Sequence, residues 1–334
     1  MKAPTAPADD HELPVSTPAA QGMNPIRLAE VEAISARHSN LYGLLVARNG
    51  CIVLEHYHRN KTPATQNHIR SITKSIVSAL VGIAIDRGII ESVHARVSDY
   101  LPEFEPRDAD ARKKQITIEH LLTMTAGFQW DETIQDKEWF SSATRAAAYD
   151  ALERSLAHEP GTTFNYDSPA ADLLTVMLTR AARQNAQTFA VEHLFAPLGI
   201  THVVWEQDPA GYYRGSAGIS MRPRDLAKFG QLYLQHGTWN RKQVLSREWI
   251  AQSTIARVIV NDYLSYGRLW WVKQTESIHR FSGLGYGGQH LIIAPQQQLV
   301  IVANYRWRVP FDVALQQRTD FTNQIFTKII EAAS

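Results

Sequence analysis

The chain has 334 residues, which exceeds the ~250–300 residues at which a single hydrophobic core usually stops growing, so we expect two domains or lobes. Hydrophobic residues make up 44% and charged residues 20% of the chain, which excludes disordered, collagen-like and low-complexity classes. The formal net charge of +1 provides no basic field for nucleic acid or a membrane surface. A single cysteine, Cys51, excludes an internal disulfide and cysteine-based metal clusters.

Two absences bear on location. No apolar run approaches the ~18–20 residues of a membrane span. Residues 1–13 are polar and lack the apolar stretch of a secretory signal. We therefore expect a cytoplasmic protein, unless an export signal has been removed beforehand.

The N-terminal part is predicted to contain a leader, a helix and a β-hairpin. Residues 1–19 form the leader, and apolar residues recur at helical spacing over Pro25–Ser39. Two β-rich runs follow, Gly43–Ala47 and Cys51–Tyr57. The Arg48-Asn49-Gly50 segment between them is a strong hairpin signal, because Asn-Gly adopts the tight turn that joins antiparallel strands.

The middle of the chain is predicted to be helical and the C-terminal part returns to strands. The predicted helices are Ser71–Arg87, Ile118–Met124, Ala170–Arg183, Thr188–Phe195, Arg224–Gln235 and Ser246–Ser253. The predicted strands are Leu269–Val272, His290–Ala294 and Leu299–Asn304, followed by a final helix over Val313–Ala332.

This order predicts an α+β fold: an antiparallel sheet built from both chain ends and flanked by helices, with an inserted, mostly helical domain. The sheet domain is assigned to residues 20–70 and 253–334, and the helical domain to residues 71–252. An active site at their interface is expected.

Several common catalytic devices are missing from the sequence. It contains no G-x-S-x-G elbow, no H-E-x-x-H, no Walker loop and no G-x-G-x-x-G after a strand. His56 and His58 alternate on a predicted strand without a third ligand in view, which favours a solvated strand face. Cys51 is interpreted as a packing residue. We predict neither a metal nor a cofactor.

The remaining chemical motif is Ser71-Ile72-Thr73-Lys74, at the start of the most apolar helix. Residues i and i+3 lie on one helical face, so Ser71 and Lys74 are neighbours. A serine hydroxyl needs an adjacent base to become a nucleophile, and a desolvated lysine can serve as that base. On the motif alone, an N-cap serine beside a solvated lysine is an equally good interpretation.

Two further segments carry polar or glycine patterns. Residues 160–168 form a loop in which Tyr166 and a hydroxyl residue two positions later, Ser168, can face a cleft. The alternative is a turn in which Asp167 or Ser168 caps the next helix and Tyr166 packs beneath it. Ser282–Gln289 is rich in glycine before a strand, which allows a ligand close to the backbone, although a flexible hairpin loop fits equally.

In this order and spacing, the three segments resemble the class C β-lactamase-like superfamily of serine hydrolases. That superfamily includes D-alanyl-D-alanine carboxypeptidases, family VIII carboxylesterases and 6-aminohexanoate-oligomer hydrolases. The resemblance runs from about Thr17 to the C-terminus. It also includes Glu119–Gly127, Leu194–Ile200, Ala217–Ser220, Asp225–Tyr233 and Tyr266–Trp271.

The resemblance implies a role for each motif residue. Ser71 would be the acylated nucleophile, Lys74 its base, and Tyr166 the group that passes a proton to the leaving group. The oxyanion hole would use the amides of Ser71 and Tyr286. Residues expected to support the site or line it are Ser168, Gly285, Gly287, Trp130 and Asp131.

Two departures from the family pattern bear on the substrate. Ser168 stands where β-lactamases and peptidases carry Asn. No lysine precedes the glycine segment in place of their K-T-G, so a cation that meets a substrate carboxylate is missing unless Arg280 or His279 replaces it. Such a charge-assisted hydrogen bond is worth about 1.5–3 kcal/mol.

We therefore predict a serine hydrolase that cleaves small esters or amides through an acyl-enzyme, similar to esterases and aminohexanoate-oligomer hydrolases. The alternatives are a β-lactamase or D-alanyl-D-alanine carboxypeptidase, and a non-catalytic penicillin-binding-like sensor. The expected partner is a small ester or amide, with no nucleic acid and no membrane.

Overall fold

The computed structural model describes residues 11–101, 110–133, 151, 153–275 and 279–334. Its helices, numbered along this part of the chain, are α1 (Pro25–Arg37), α2 (Ile72–Asp86), α3 (Val97–Tyr100), α4 (Ile118–Leu122), α5 (Ser168–Ala182), α6 (Ala186–Ala190), α7 (Pro223–Leu234), α8 (Arg247–Ser253), α9 (Phe311–Asp320) and α10 (Thr327–Ala333). Its strands are β1 (Leu41–Arg48), β2 (Cys51–Tyr57), β3 (Asn67–His68), β4 (Val204–Trp205), β5 (Ile219–Met221), β6 (Thr238–Trp239), β7 (Lys242–Gln243), β8 (Val258–Asn261), β9 (Leu264–Tyr266), β10 (Trp271–Gln274), β11 (His279–Gly285), β12 (Gln289–Ala294) and β13 (Leu299–Tyr305).

The largest sheet has eight strands in the order β2-β1-β13-β12-β11-β10-β9-β8. Every neighbouring pair is antiparallel. Because β1 pairs with β13, the sheet joins the two ends of the chain, which confirms the predicted α+β fold. The predicted Asn-Gly hairpin is also confirmed, since Asn49 and Gly50 have φ angles of 51° and 77° and connect β1 to β2.

The central strands are buried on both faces. Along β1, Leu45 and Ala47 belong to a core that contains α2 and α7, whereas Leu44 and Val46 belong to a second core with α1 and α10. Side chains of a strand alternate between faces, so an uninterrupted apolar run is what a covered sheet requires. The helices therefore form a layer on each side of the sheet.

Helix α2 lies between the sheet and the helical part of the chain. Every residue from Ile72 to Ala84 is buried. On one side a β-carbon at Gly283 of β11 would meet Ile72 Cγ2 at 3.0 Å, and on another side one at Gly82 would meet the indole of Trp249 at 2.5 Å. This double burial explains why α2 is the most apolar helix. The domain boundaries at residues 70 and 253 stay a prediction.

Some predicted elements differ from the observed ones. The glycine segment is mostly strand, because β11 extends to Gly285 and pairs with β12. Leu269, expected in a strand, has a φ of 59°, and β10 begins only at Trp271. The last predicted helix includes a π-helical stretch over Phe321–Phe326. None of the described helices is long and apolar enough to cross a membrane.

Candidate active site

Ser71 stands immediately before the first turn of α2, after a strained backbone step. Arg70 has a φ of 51°, which is uncommon for a residue with a β-carbon. Ser71 occupies the N-cap position, but its side chain makes no capping hydrogen bond. The hydroxyl is thus left for another contact, and the interpretation of Ser71 as an ordinary capping serine does not fit the structure.

Lys74 lies one turn further along α2 and is only 1% exposed. Its Nζ is 3.2 Å from Ser71 Oγ, 3.1 Å from Ser168 Oγ and 2.9 Å from the main-chain oxygen of Ser216. The alternative of a solvated lysine is therefore wrong. Three segments distant in sequence meet at this nitrogen, and a buried amine next to a serine hydroxyl is an arrangement suited to proton transfer.

The carbonyl of Ser216 is held in place by a buried carboxylate that was not predicted from the sequence. Asp172, on α5 and 3% exposed, accepts a 2.7 Å hydrogen bond from Ser216 N. Burial raises the pKa of Asp172, while its hydrogen bond with Ser216 acts in the opposite direction. Nothing in the sequence separates this aspartate from a surface residue of an amphipathic helix.

Ser168 begins α5 and connects Lys74 to a second unpredicted acid, Glu132. Its hydroxyl lies 2.5 Å from Glu132 Oε1, and its main-chain N–H donates to Glu132 Oε2 at 3.2 Å. The indole Nε1–H of Trp130 also donates to Oε2, at 2.5 Å. The neighbouring Asp131, which was predicted to support or line the site, has a carboxylate that accepts from the N–H and hydroxyl of Thr133 in an exposed turn.

Trp130 was expected to line the cleft and is 7% exposed. The guanidinium carbon of Arg154 lies 4.1 Å from the centroid of its ring. In this position the indole holds Glu132 from one side. Contact of Trp130 or Asp131 with a substrate stays a prediction.

Tyr166 is close to the Ser71–Lys74 pair, as the resemblance implies. Lys74 Nζ lies 4.8 Å from the centroid of its ring. The ring stacks on Trp271 with 5.5 Å between centroids and meets Tyr266 edge-on at 6.2 Å. These aromatic contacts position the ring, and the Tyr166 hydroxyl makes no hydrogen bond to any residue in the described ranges.

The end of β11 approaches the turn before Ser71. A β-carbon on Gly285 would lie 2.5 Å from the main-chain oxygen of Ile69, so only glycine permits this contact. Gly287, with a φ of 76°, shapes the following turn. Tyr286 lies between these glycines, and its hydroxyl donates to the oxygen of Val309. Its amide as the second oxyanion donor stays a prediction.

Neither residue suggested as a substitute for the missing lysine lies in the site. The Arg280 guanidinium carbon is 4.5 Å from the ring of Phe326, which belongs to the core on the opposite face of the sheet. His279 Nε2 contacts the oxygen of Thr254. It lies at the other end of β11 from Gly285, roughly 20 Å away at the rise of a strand.

Among the residues that the structure describes, no three His, Cys, Asp or Glu side chains are grouped so that they could hold a metal ion. His56, one of the alternating histidines, contacts Glu32 at 3.2 Å. The site therefore consists of hydroxyls, one amine, carboxylates and aromatic rings.

Comparisons with known proteins show which family the chain belongs to. The family model described as beta-lactamase matches residues 32–319. The chain belongs to the beta-lactamase family. It is 26% identical over 292 residues to 6-aminohexanoate-dimer hydrolase of Paenarthrobacter ureafaciens, covering 80% of this chain and 72% of the relative. It is 31% identical over 193 residues to esterase EstB of Burkholderia gladioli, covering 54% of this chain and 48% of that relative.

A solved structure from Bacillus anthracis, provisionally named a 6-aminohexanoate-dimer hydrolase, has a TM-score of 0.76 to this chain at 19% identity. The match covers all of this chain and 89% of the Bacillus anthracis chain. At this identity the likeness establishes the shared fold. With the family match, the named relatives identify this beta-lactamase-family protein as a serine hydrolase.

Asp167 provides the N-cap of α5. Its Oδ1 accepts from Ala170 N at 3.1 Å and lies 3.8 Å from Arg154 Nη1, and the residue is 3% exposed. Asp167 therefore caps α5, and the Ser168 hydroxyl is left to contact Lys74. Burial raises the pKa of Asp167 to about 7, against the opposing effect of Arg154.

We expect Asp167→Asn to reduce the pH dependence of stability. Because the folded pKa lies above the ordinary 3.8, the folded protein binds this proton more tightly than the unfolded chain. The free energy of unfolding therefore contains a contribution that decreases from about pH 4 to about pH 7. Asn caps a helix as well as Asp but carries no charge. Urea unfolding midpoints should thus show Asp167→Asn equal to or above the unmodified protein at about pH 8.

Asp110→Asn provides a control of opposite sign. Hydrogen bonding to Arg112 lowers the pKa of Asp110, so its contribution to stability is lost as the pH falls through that lowered value. The prediction is contradicted if Asp167→Asn is less stable than the unmodified protein by the same free energy of unfolding above pH 7 as below pH 4.

Proposed function

We propose that the protein hydrolyses small esters or amides through an acyl-enzyme on Ser71. The observation that carries the proposal is the position of Lys74 Nζ, buried and 3.2 Å from Ser71 Oγ. As Ser71 Oγ bonds to the substrate carbonyl carbon, its proton passes to Lys74. The carbonyl oxygen becomes an oxyanion that the amides of Ser71 and Tyr286 would stabilise.

Tyr166 would complete the proton path. Its ring lies beside Lys74, so its hydroxyl can take part in transfer to the departing alcohol or amine. Collapse of the oxyanion breaks the bond to that leaving group and leaves the acyl group on Ser71. A water molecule then attacks the acyl carbon and gives up a proton to the Tyr166–Lys74 pair, which releases the acid and restores Ser71.

Two features support a substrate that has an apolar acyl group and does not need a carboxylate for binding. Phe164, Tyr166 and Trp271 form a partly buried aromatic cluster next to the site. No lysine stands in β11 before Gly283, and Arg280 lies on the far face of the sheet. The relatives named as an esterase and a 6-aminohexanoate-dimer hydrolase support an ester or amide substrate. A cytoplasmic location stays a prediction.

Labelling tests the nucleophile. We expect a fluorophosphonate to add one mass adduct at Ser71 and the protein to hydrolyse p-nitrophenyl butyrate. Both should be lost in Ser71→Ala, because the other hydroxyl beside Lys74, that of Ser168, donates to Glu132. Intact-mass spectrometry and release of p-nitrophenol measure the two effects. Ser78→Ala, a buried serine two turns along the same helix, should retain both. Adduct and turnover that persist in Ser71→Ala contradict the proposal.

Tyr166→Phe tests the proton path. Loss of an acid–base group typically slows a reaction by ~10²-fold or more, so we expect kcat for p-nitrophenyl butyrate to fall by at least ~10²-fold. Tyr266→Phe, which removes the hydroxyl of the ring packed edge-on against Tyr166, should change kcat little. Near-normal kcat in Tyr166→Phe removes this residue from the proposed role.

Nitrocefin tests the substrate class. Without a cation for the β-lactam carboxylate, a hydrogen bond worth about 1.5–3 kcal/mol is absent, which corresponds to roughly 10- to 100-fold in kcat/KM. We therefore expect kcat/KM for nitrocefin to be lower than that for p-nitrophenyl butyrate, which needs no such cation. Ser71→Ala supplies the background rate for each substrate. Equal Ser71-dependent efficiencies would support the β-lactamase alternative.

A further inference from the structure

The three oxygens around Lys74 Nζ have different hydrogen-bonding abilities. The main-chain oxygen of Ser216, at 2.9 Å, can only accept. The hydroxyls of Ser168 and Ser71, at 3.1 and 3.2 Å, can each donate or accept. A neutral lysine amine has two N–H bonds and one lone pair. Since Ser216 takes one N–H bond, the two serines decide where the lone pair points.

The hydrogen of Ser168 is directed away from Lys74. Its Oγ lies 2.5 Å from Glu132 Oε1, and a carboxylate oxygen can only accept, so the single hydroxyl hydrogen points to Glu132. Ser168 Oγ then faces Lys74 with a lone pair and must accept. The second N–H bond of Lys74 is used there, which leaves the lysine lone pair for Ser71.

The Glu132 carboxylate is itself held in one orientation. Its Oε2 accepts from Trp130 Nε1 at 2.5 Å and from Ser168 N at 3.2 Å. A partial rotation of the carboxylate would break both bonds, and a half-turn only exchanges its two equivalent oxygens, so an acceptor stays on the Ser168 hydroxyl. The direction of the whole chain of hydrogen bonds from Trp130 to Lys74 thus follows from the acceptor-only character of this one group.

We propose that Glu132 is a positioning residue that acts through Ser168 to aim the lone pair of Lys74 at the Ser71 hydroxyl. The inference rests on the proposed function, in which that lone pair receives the Ser71 proton. Without the carboxylate, the Ser168 hydrogen can turn to Lys74 and occupy the lone pair. Ser71 then has no base until the hydroxyl turns away again.

Glu132→Gln is the decisive variant because it preserves length while adding a donor. Its carbonyl oxygen can accept from Trp130 and Ser168 N as Oε2 does, which places the side-chain NH₂ against Ser168 Oγ. The hydrogen bond reverses and the Ser168 hydrogen is released toward Lys74. We expect kcat/KM for p-nitrophenyl butyrate to fall at least ~10-fold, towards the ~10²-fold or more that a general base contributes.

Two comparisons separate positioning from a structural role. In the Ser168→Ala background there is no hydroxyl to orient, so Glu132→Gln should cause no further loss of kcat/KM. Glu132→Asp keeps an acceptor-only group and should be faster than Glu132→Gln. Glu159→Gln, an exposed acid that contacts Arg112, is the matched control and should match the unmodified protein.

The outcomes are distinguishable. Three outcomes overturn the inference while Ser71-dependent turnover stands. They are a Glu132→Gln protein that keeps the full kcat/KM of the unmodified protein, the same loss of kcat/KM from Glu132→Gln in the Ser168→Ala background, and a Glu132→Asp protein that is as slow as Glu132→Gln. If Glu132→Gln fails to fold by circular dichroism, the comparison of Glu132→Asp/Ser168→Ala with Ser168→Ala alone decides, because positioning through Ser168 requires the double variant to be no slower than the single one. Absence of Ser71-dependent turnover in the unmodified protein overturns the proposed function and the inference together.

Discussion

The burial of one lysine nitrogen determines how the rest of the site is arranged. A polar group removed from water destabilises the fold unless hydrogen bonds replace its hydration, and Lys74 is 1% exposed. Its three oxygen partners come from the N-cap of α2, from the start of α5 and from the segment before β5. These three segments must therefore pack together before the Lys74 nitrogen has its hydrogen bonds. The packing of the helical part consequently assembles the site as well.

The carboxylates near Lys74 divide the remaining work. Asp172 holds the segment that carries the Ser216 carbonyl, Glu132 accepts the hydroxyl of Ser168, and Asp167 caps α5. The first and third are fully buried, and burial raises their pKa. Asp172 and Asp167 each accept a main-chain N–H bond, which favours their charged form and opposes the effect of burial on their pKa. These carboxylates therefore accept hydrogen bonds from main-chain N–H groups of the same segments that they hold in place.

The sequence is most informative where a short spacing has one geometrical consequence. Residues three apart on a helix share a face, so the spacing alone pairs Ser71 with Lys74, and the Asn-Gly dipeptide alone indicates the β1–β2 hairpin. Glu132 was missed because the path of the loop after Gly127 decides which of two adjacent acids faces inward. Asp172 was missed because one polar residue on an amphipathic helix carries no sign of what it contacts.

The serine at position 168 changes what the site needs. An asparagine side chain brings an acceptor and a donor fixed in one plane, so it presents a defined atom to a lysine without help. A hydroxyl has a single hydrogen that rotates, and its direction depends on the next partner along. In this chain that partner is Glu132, itself fixed by Trp130. Replacement of Asn by Ser therefore transfers the directional constraint from one residue to a group of three, and the loop that supplies two of them becomes part of the site.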